Sequence, residues 1–403
     1  MPALDCSYPP DHHIRRGKLV MKRKSAKSKS ARSKSSLANN RKIRFAVVGL
    51  GHLAQVAVLP AFANTRNAEL TAIVSGDETK LKKLGKKYQL EHTYSYDDYD
   101  RALEAVDAVY IVLPNHLHHE YTVRAAAAGV HVICEKPMAD NEKECEEMIQ
   151  AADKNSVKLM IAYRLHFEES NLEAIQLAQS GKLGELRFFE GTFSEQAAAG
   201  NVRLTESIAR GGGPVFDLGV YCINAARYLF RAEPTSVSAF SASGSDKRFN
   251  KVDEMTSAIM RFPRERLANI TCSFGATDVS RYSIVGTKGT LTAEPAYNFG
   301  FPLKQKITIG EKTRSKIFRR TDQFAAQISY FSDCVQHNRD PEPSGWEGLA
   351  DVRVVTAIYE SARTGKKVEL GSFPERPRPG IKQKVSRPAH GKPSVVKAEA
   401  PTE

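Results

Sequence analysis

The chain has 403 residues, enough for two domains, because a single core rarely grows past about 250–300 residues. Its net charge of +13 sits at the ends: residues 12–44 hold thirteen Lys or Arg and no acid, residues 372–403 hold seven basic and three acidic residues, and the span between them holds 39 basic against 41 acidic. A near-neutral body without an apolar run of ~20 residues excludes a bilayer-crossing helix, and any nucleic-acid role would rest on the basic ends alone.

Residues 1–40 read as a disordered basic arm, with Ser and Lys repeating from Lys22 to Ser30. An arm of this kind suits nucleic acid or an acidic membrane, but a solvated leader is the simpler reading. A secretory signal would need an apolar stretch of ~7–15 residues after the charges. Val20-Met21 is followed by more lysines instead, so a cytoplasmic location is expected. The six cysteines form no C-x-x-C pair, which fits a reducing compartment better than a disulfide or zinc framework.

The first ordered element is the buried strand Ile43–Val48. It runs into Gly49-Leu50-Gly51-His52-Leu53-Ala54 and an apolar helix from Val56 to Ala63. G-x-G-x-x-A between strand and helix offers a tight turn and the free N–H groups of a helix start to a pyrophosphate. Strands at 69–74, 107–113, 130–134 and 158–163 alternate with helices at 77–88, 117–128 and 142–154. That alternation predicts a doubly wound parallel sheet in an NAD(P)-binding Rossmann domain over 41–164.

A ligand of such a sheet lies beyond the carboxyl ends of the strands. This makes Gly49, Gly51, His52, Leu53, Ser75, Leu113, Pro114, Asn115, Glu135, Lys136 and Arg164 candidate cofactor contacts, with His118 just inside the next helix. Ser75 ends the second strand where an acid would hold the ribose of NAD, and Lys80 follows one turn later. The pair favours NADP over NAD, with Asp77 dissenting. Asn115-His116-Leu117-His118-His119 resembles a metal cluster only superficially, and no metal is expected.

From residue 165 the period changes. Alternating segments at 186–192, 237–241, 256–262, 268–274 and 280–285, a hairpin over 285–291, and helices near 168–180, 214–230, 322–336 and 347–364 predict an α+β domain over 165–371. Its sheet should be large, open and mainly antiparallel. The proline-rich residues 372–403 read as a disordered tail.

Within that second domain, Gly211-Gly212-Gly213-Pro214 starts an apolar helix in which Asp217, Tyr221 and Asn224 share one face. A polar stripe in a buried helix must find partners or face a cleft.

Strand-one G-x-G-x-x-A, Leu113-Pro114-Asn115, Cys134-Glu135-Lys136-Pro137, Tyr163-Arg164 and the Gly211–Asn224 helix together resemble the Gfo/Idh/MocA oxidoreductases. The nearest branch is that of glucose–fructose oxidoreductase and the NADP-dependent sugar dehydrogenases. The resemblance runs from about Arg41 to Leu370. It implies that Lys136 and Tyr221 lie beside the nicotinamide, with Asp217 next to a sugar or polyol substrate, and that the chain pairs as a homodimer or homotetramer through the second-domain sheet. Oxidising a sugar hydroxyl needs a proton acceptor. Tyr221 is that acid/base, Lys136 the ammonium favouring its phenolate, and Asp217 the substrate contact. Arg164, Arg203 and Arg210 are candidates for the substrate cleft, with Arg210 preferred. The alternative is a non-catalytic dinucleotide-binding sensor on the same fold, which would have no need of Lys136, Asp217 and Tyr221 together.

Overall fold

A computed structural model describes residues 41–391 and 393–402. The expected basic arm at 1–40 lies outside the described residues.

Six strands, β1 (Ile43–Val48), β2 (Ala68–Val74), β3 (His92–Tyr94), β4 (Ala108–Ile111), β5 (His131–Cys134) and β6 (Leu159–Ile161), form the first sheet in the order β3-β2-β1-β4-β5-β6. Every neighbouring pair is parallel. Strands β1, β4 and β5 are almost wholly buried, as continuous apolar runs covered on both faces must be. The strand order reverses direction at β1, so the crevice beside the glycine turn is the ligand-binding position of this topology. The edge strand β3, too short and polar to show a period, was not anticipated.

The second sheet has nine strands: β7 (Leu186–Ser194), β8 (Ser236–Ala242), β9 (Met255–Phe262), β10 (Arg266–Ser273), β11 (Val279–Gly286), β12 (Gly289–Ala293), β13 (Leu303–Ile309), β14 (Lys312–Phe318) and β15 (Val368–Glu369). Their order is β14-β13-β12-β11-β7-β10-β9-β8-β15, and only the central β7–β10 pair is parallel. Along β9, buried and exposed residues alternate without a break, so one face is covered and the other open. The helices Glu169–Gln179 and Val220–Phe230 bury their apolar sides in the same core as the covered face.

Two late helices pack on the first sheet, and the second of them also reaches the core of the other. Gln323–Gln336 places Phe324, Ala325, Ile328 and Phe331 in the core with Phe45 and Val47 of β1. Gly345–Thr364 contributes Leu349 and Val352 to the other side of the first sheet, and Val354 and Ile358 to the core of the second. Its Glu347 and Asp351 pair with the fully buried Arg227.

The expectation of a disordered tail from 372 is corrected. Its described residues run along the body: Arg378 pairs with Glu233, Phe373 packs edge-on to Trp346, and Pro388 bridges Thr321. Proline-rich composition disfavours long helices and strands, and the described tail residues form only the short 3-10 turn Ile381–Gln383. It does not prevent an extended segment from docking through its main-chain carbonyls and its cations.

Candidate active site

The glycine turn leaves β1 with Gly49 at φ +96°, where a Cβ would lie 2.3 Å from the Val112 carbonyl oxygen. Gly51 opens outward, with nothing within 4 Å of where its Cβ would be. One glycine therefore allows the turn to close on β4, and the other leaves its outer face bare to a close-approaching group. The residues fit a dinucleotide pyrophosphate.

At the end of β2, Ser75 is buried and its hydroxyl accepts the Asp77 N–H at 3.2 Å. Asp77 caps the helix Glu78–Lys87 by accepting the Lys80 N–H at 3.0 Å, a bond that holds its carboxyl below the usual range. The dissenting carboxylate thus already has a structural task. Lys80 stands half-buried on that first turn.

The other strand ends converge on the Gly211–Asn224 segment. Asn115 donates to the Gly211 carbonyl at 2.7 Å, and Gly211 adopts φ +73° with a would-be Cβ 2.4 Å from Asp140 Oδ1. Only glycine permits that approach, which anchors the start of the next helix to the first sheet. After a wide first turn, Val215–Gly219, the helix Val220–Phe230 lies between the two cores, with Val220 in one and Ile223 in the other.

Two members of its polar stripe face the strand ends and one does not. Lys136 Nζ donates to Asp217 Oδ1 at 2.7 Å and to the Asp217 carbonyl at 2.8 Å. Arg203 makes an ion contact with the same carboxylate at 3.0 Å. Burial works against the Asp217 carboxylate, but Arg203 and Lys136 outweigh it and hold its pKa below the usual range. Lys136 also lies over the ring of Tyr221, 4.6 Å from its centre. The phenolic oxygen itself accepts from Arg164 Nη2 at 3.1 Å. Arg164 is fixed in turn by Gln323 and by the Tyr297 carbonyl at 2.5 Å. Asn224 donates to Glu347 and Asp351 and pairs with His166, so it belongs to the buried network.

Four sequence expectations change here. The cation at the phenolic oxygen is Arg164, while Lys136 covers the ring face and is bound to Asp217. Arg210 is half-exposed and paired with Glu206 at 2.7 Å, and it is Arg203 that joins the Asp217 cluster. His118 is wholly buried, its ring nitrogens 2.8 Å from the Pro137 carbonyl and 2.9 Å from that of Leu113. Burial lowers its pKa to about 4, so it is a neutral tie between two loops with no surface for a cofactor. Glu135 also stands behind the cleft, accepting from the Tyr110 hydroxyl at 2.8 Å. His119 lies 2.8 Å from Glu147, and no group of three metal-ligating side chains occurs among the described residues.

One residue was missed. Glu195, just after β7, has its pKa pushed up to about 7 by burial and by the Asp217 charge, with Lys136 and Arg203 opposing. Its only sequence signal was an acid closing an alternating strand, which is common on surfaces.

The Gfo/Idh/MocA profile, described as an oxidoreductase family with an NAD-binding Rossmann fold, matches residues 43–163, and the profile of the family's C-terminal domain matches 171–292. The chain belongs to the Gfo/Idh/MocA oxidoreductase family. Among its relatives is an NADP-dependent D-xylose 1-dehydrogenase of Haloarcula marismortui, 31% identical over 341 residues, covering 83% of this chain and 94% of the relative. The solved aldose–aldose oxidoreductase of Caulobacter crescentus, complexed with glycerol, is 38% identical with a TM-score of 0.78, covering 82% of this chain and all of that one. A 3-ketoreductase from Actinomadura kijaniata, solved with NADP and TDP-benzene, is 25% identical with a TM-score of 0.73, covering 80% and 98%. Membership agrees with the two-sheet architecture. No helix among the described residues is long and apolar enough to cross a membrane.

Proposed function

We propose that this oxidoreductase transfers a hydride between NADP and a carbon-bound hydroxyl of a sugar, polyol or related cyclic alcohol, with Tyr221 as the acid/base. The observation that carries the reading is the pairing of Tyr221 with Arg164 and of Asp217 with Lys136, at the carboxyl ends of β5 and β6. The NADP preference is supported by Ser75 and Lys80 beyond β2 and by the NADP named for the Haloarcula and Actinomadura relatives. The sugar class is supported by the xylose and aldose named for the Haloarcula and Caulobacter proteins.

A bound nicotinamide supplies the hydride acceptor or donor. The chain's own residues manage the proton and the orientation. Arg164 donates to the phenolic oxygen at 3.1 Å and so fixes the group that exchanges a proton with the substrate hydroxyl. Lys136 is held by Asp217 above the Tyr221 ring, where its one remaining N–H donor can reach a substrate oxygen. Asp217, fixed between Lys136 and Arg203, keeps both cations in place. Burial and the Asp217 charge push the Glu195 carboxyl up to about 7, so this neighbour of the Asp217 cluster changes charge near neutral pH.

The protein would act as a homo-oligomer through the open face of the second sheet. That face exposes Phe240, Ile259 and Leu267 on the adjacent strands β8, β9 and β10, with Phe240 80% exposed. A contiguous apolar patch of this kind is the mark of an interface.

Purified protein should be offered aldoses, lactones and inositols with NADP and NAD, following the absorbance of the reduced nicotinamide. Turnover with an aldose or polyol and NADP is the expected result. Dinucleotide binding with no turnover across the whole panel would overturn the catalytic reading, and a monomer by light scattering would overturn the oligomeric one.

A further inference from the structure

Residues 394–402 pass from one side of the dinucleotide groove to the other. Ser394 presents its carbonyl to Lys87 at 3.3 Å. Val396 pairs by both main-chain groups with the side-chain amide of Gln55, its N–H donating at 2.7 Å and its carbonyl accepting at 2.9 Å. Gln55 is 1% exposed and also donates to the Leu50 carbonyl inside the glycine turn at 2.9 Å. One buried amide therefore joins the tail to the pyrophosphate loop. Lys397, at φ +45°, sends its ammonium to Thr79 Oγ1 at 3.0 Å and to within 3.6 Å of Asp77 Oδ2, just beyond the end of β2. The tail then leaves the first sheet. Pro401 accepts from Ala198 N at 2.9 Å and from Asn201 Nδ2 at 3.0 Å, and Thr402 bridges Ala197. That segment follows Glu195, on the substrate side of the cleft. Four residues carry the chain from Lys397 to Pro401, a reach of at most ~14 Å.

We propose that Val396–Thr402 is a strap of the cofactor site, in which the Lys397 ammonium is a specificity-determining contact to the 2′-phosphate of NADP. The proposal rests on the NADP reading above and adds a group from outside the Rossmann fold. An ammonium carries three donors, and Thr79 takes one at hydrogen-bond distance. Asp77, the other neighbour, is 3.6 Å away and already caps a helix, so a phosphate dianion is the stronger partner for the exposed cation. The same ammonium offsets the carboxylate that would otherwise select the ribose hydroxyls of NAD. A dinucleotide leaving the groove must first part Val396 from Gln55 and Pro401 from Ala198 and Asn201, so the strap also slows release. All of the Caulobacter chain is matched by 82% of this one, so part of this chain has no counterpart there.

The test compares the full chain with Lys397→Gln, Lys397→Arg and a chain ending at Gly391. Equilibrium binding of NADPH and NADH is measured by calorimetry, and NADPH release is followed by stopped-flow nicotinamide fluorescence after a chase with excess NADP. Lys397→Gln should weaken NADPH about three- to tenfold and leave NADH unchanged, while Lys397→Arg keeps most of the preference. The shortened chain should release NADPH at least about tenfold faster. Lys397 is 60% exposed, so its substitution leaves the fold intact and keeps the test valid should the shortened chain misfold. Equal weakening of both dinucleotides by Lys397→Gln, or no change in either, overturns the proposal. If the full chain prefers NADPH and every variant retains its affinity and release rate, the strap fails while the NADP reading stands. A full chain that binds NADH as tightly as NADPH overturns both.

Discussion

Lys136 donates to Asp217 at 2.7 Å while its ammonium sits 4.6 Å from the centre of the Tyr221 ring. One helical turn separates Asp217 from Tyr221, so a single lysine from the first sheet's strand ends meets both. With side-chain exposures of 8% and 13%, the ion pair is shielded enough for its loss to be felt. Replacing Lys136 by Met should cost about 2–4 kcal/mol of stability, because it strips a buried carboxylate of one of its two cations. The double variant Lys136→Met/Asp217→Asn should regain most of that loss. Urea unfolding midpoints decide the point, and turnover should fall at least tenfold in both variants.

Tyr221→Phe removes the phenolic oxygen and leaves the ring against Phe193 and Tyr297. General acid–base catalysis contributes about 10²–10⁴-fold, so turnover should drop by that order with dinucleotide affinity retained. Steady-state rates and cofactor titration on the same preparation test it. A rate near that of the parent protein would remove Tyr221 from the mechanism.

Glu195 gives the clearest pH signature. Its folded pKa of about 7 lies above the ordinary 4.5, so the folded protein binds a proton more tightly than the unfolded chain. The stability this confers is complete below 4.5 and is lost as pH rises toward 7, at up to about 1.4 kcal/mol per pH unit. Glu195→Gln should flatten that fall between pH 4.5 and 7 and remove a limb near pH 7 from the rate profile. Thermal unfolding across pH, with parallel rate profiles, measures both. A parent and variant with the same slope would show that Glu195 ionises normally.

Gly49→Ala should harm both fold and cofactor binding. The residue sits at φ +96°, and its new methyl would meet the backbone oxygen of Val112, which no side-chain rotation can relieve. A loss of about 1–3 kcal/mol is expected, together with much weaker dinucleotide binding. Gly51→Ala, at an open position, should preserve the melting temperature and impair binding alone.

Much of the molecule was legible before folding. The glycine turn, the parallel strand runs and the alternating strands carry their periods locally, because burial on both faces or on one leaves a direct pattern in the chain. Lys136, Asp217 and Tyr221 were legible as chemistry-bearing residues. What they touch was not, since 81 residues separate Lys136 from Asp217 and 57 separate Arg164 from Tyr221. Only packing decided that Arg164 reaches the phenolic oxygen, that Arg203 rather than Arg210 joins Asp217, and that His118 is sealed away. The same limit governs the tail. Composition argued against helix or strand after residue 372, and the described residues there form only the 3-10 turn Ile381–Gln383. Tertiary contacts decided that the described tail residues dock, because an extended chain is held by partners such as Gln55, Glu233 and Asn201 that lie 145 to 341 residues away.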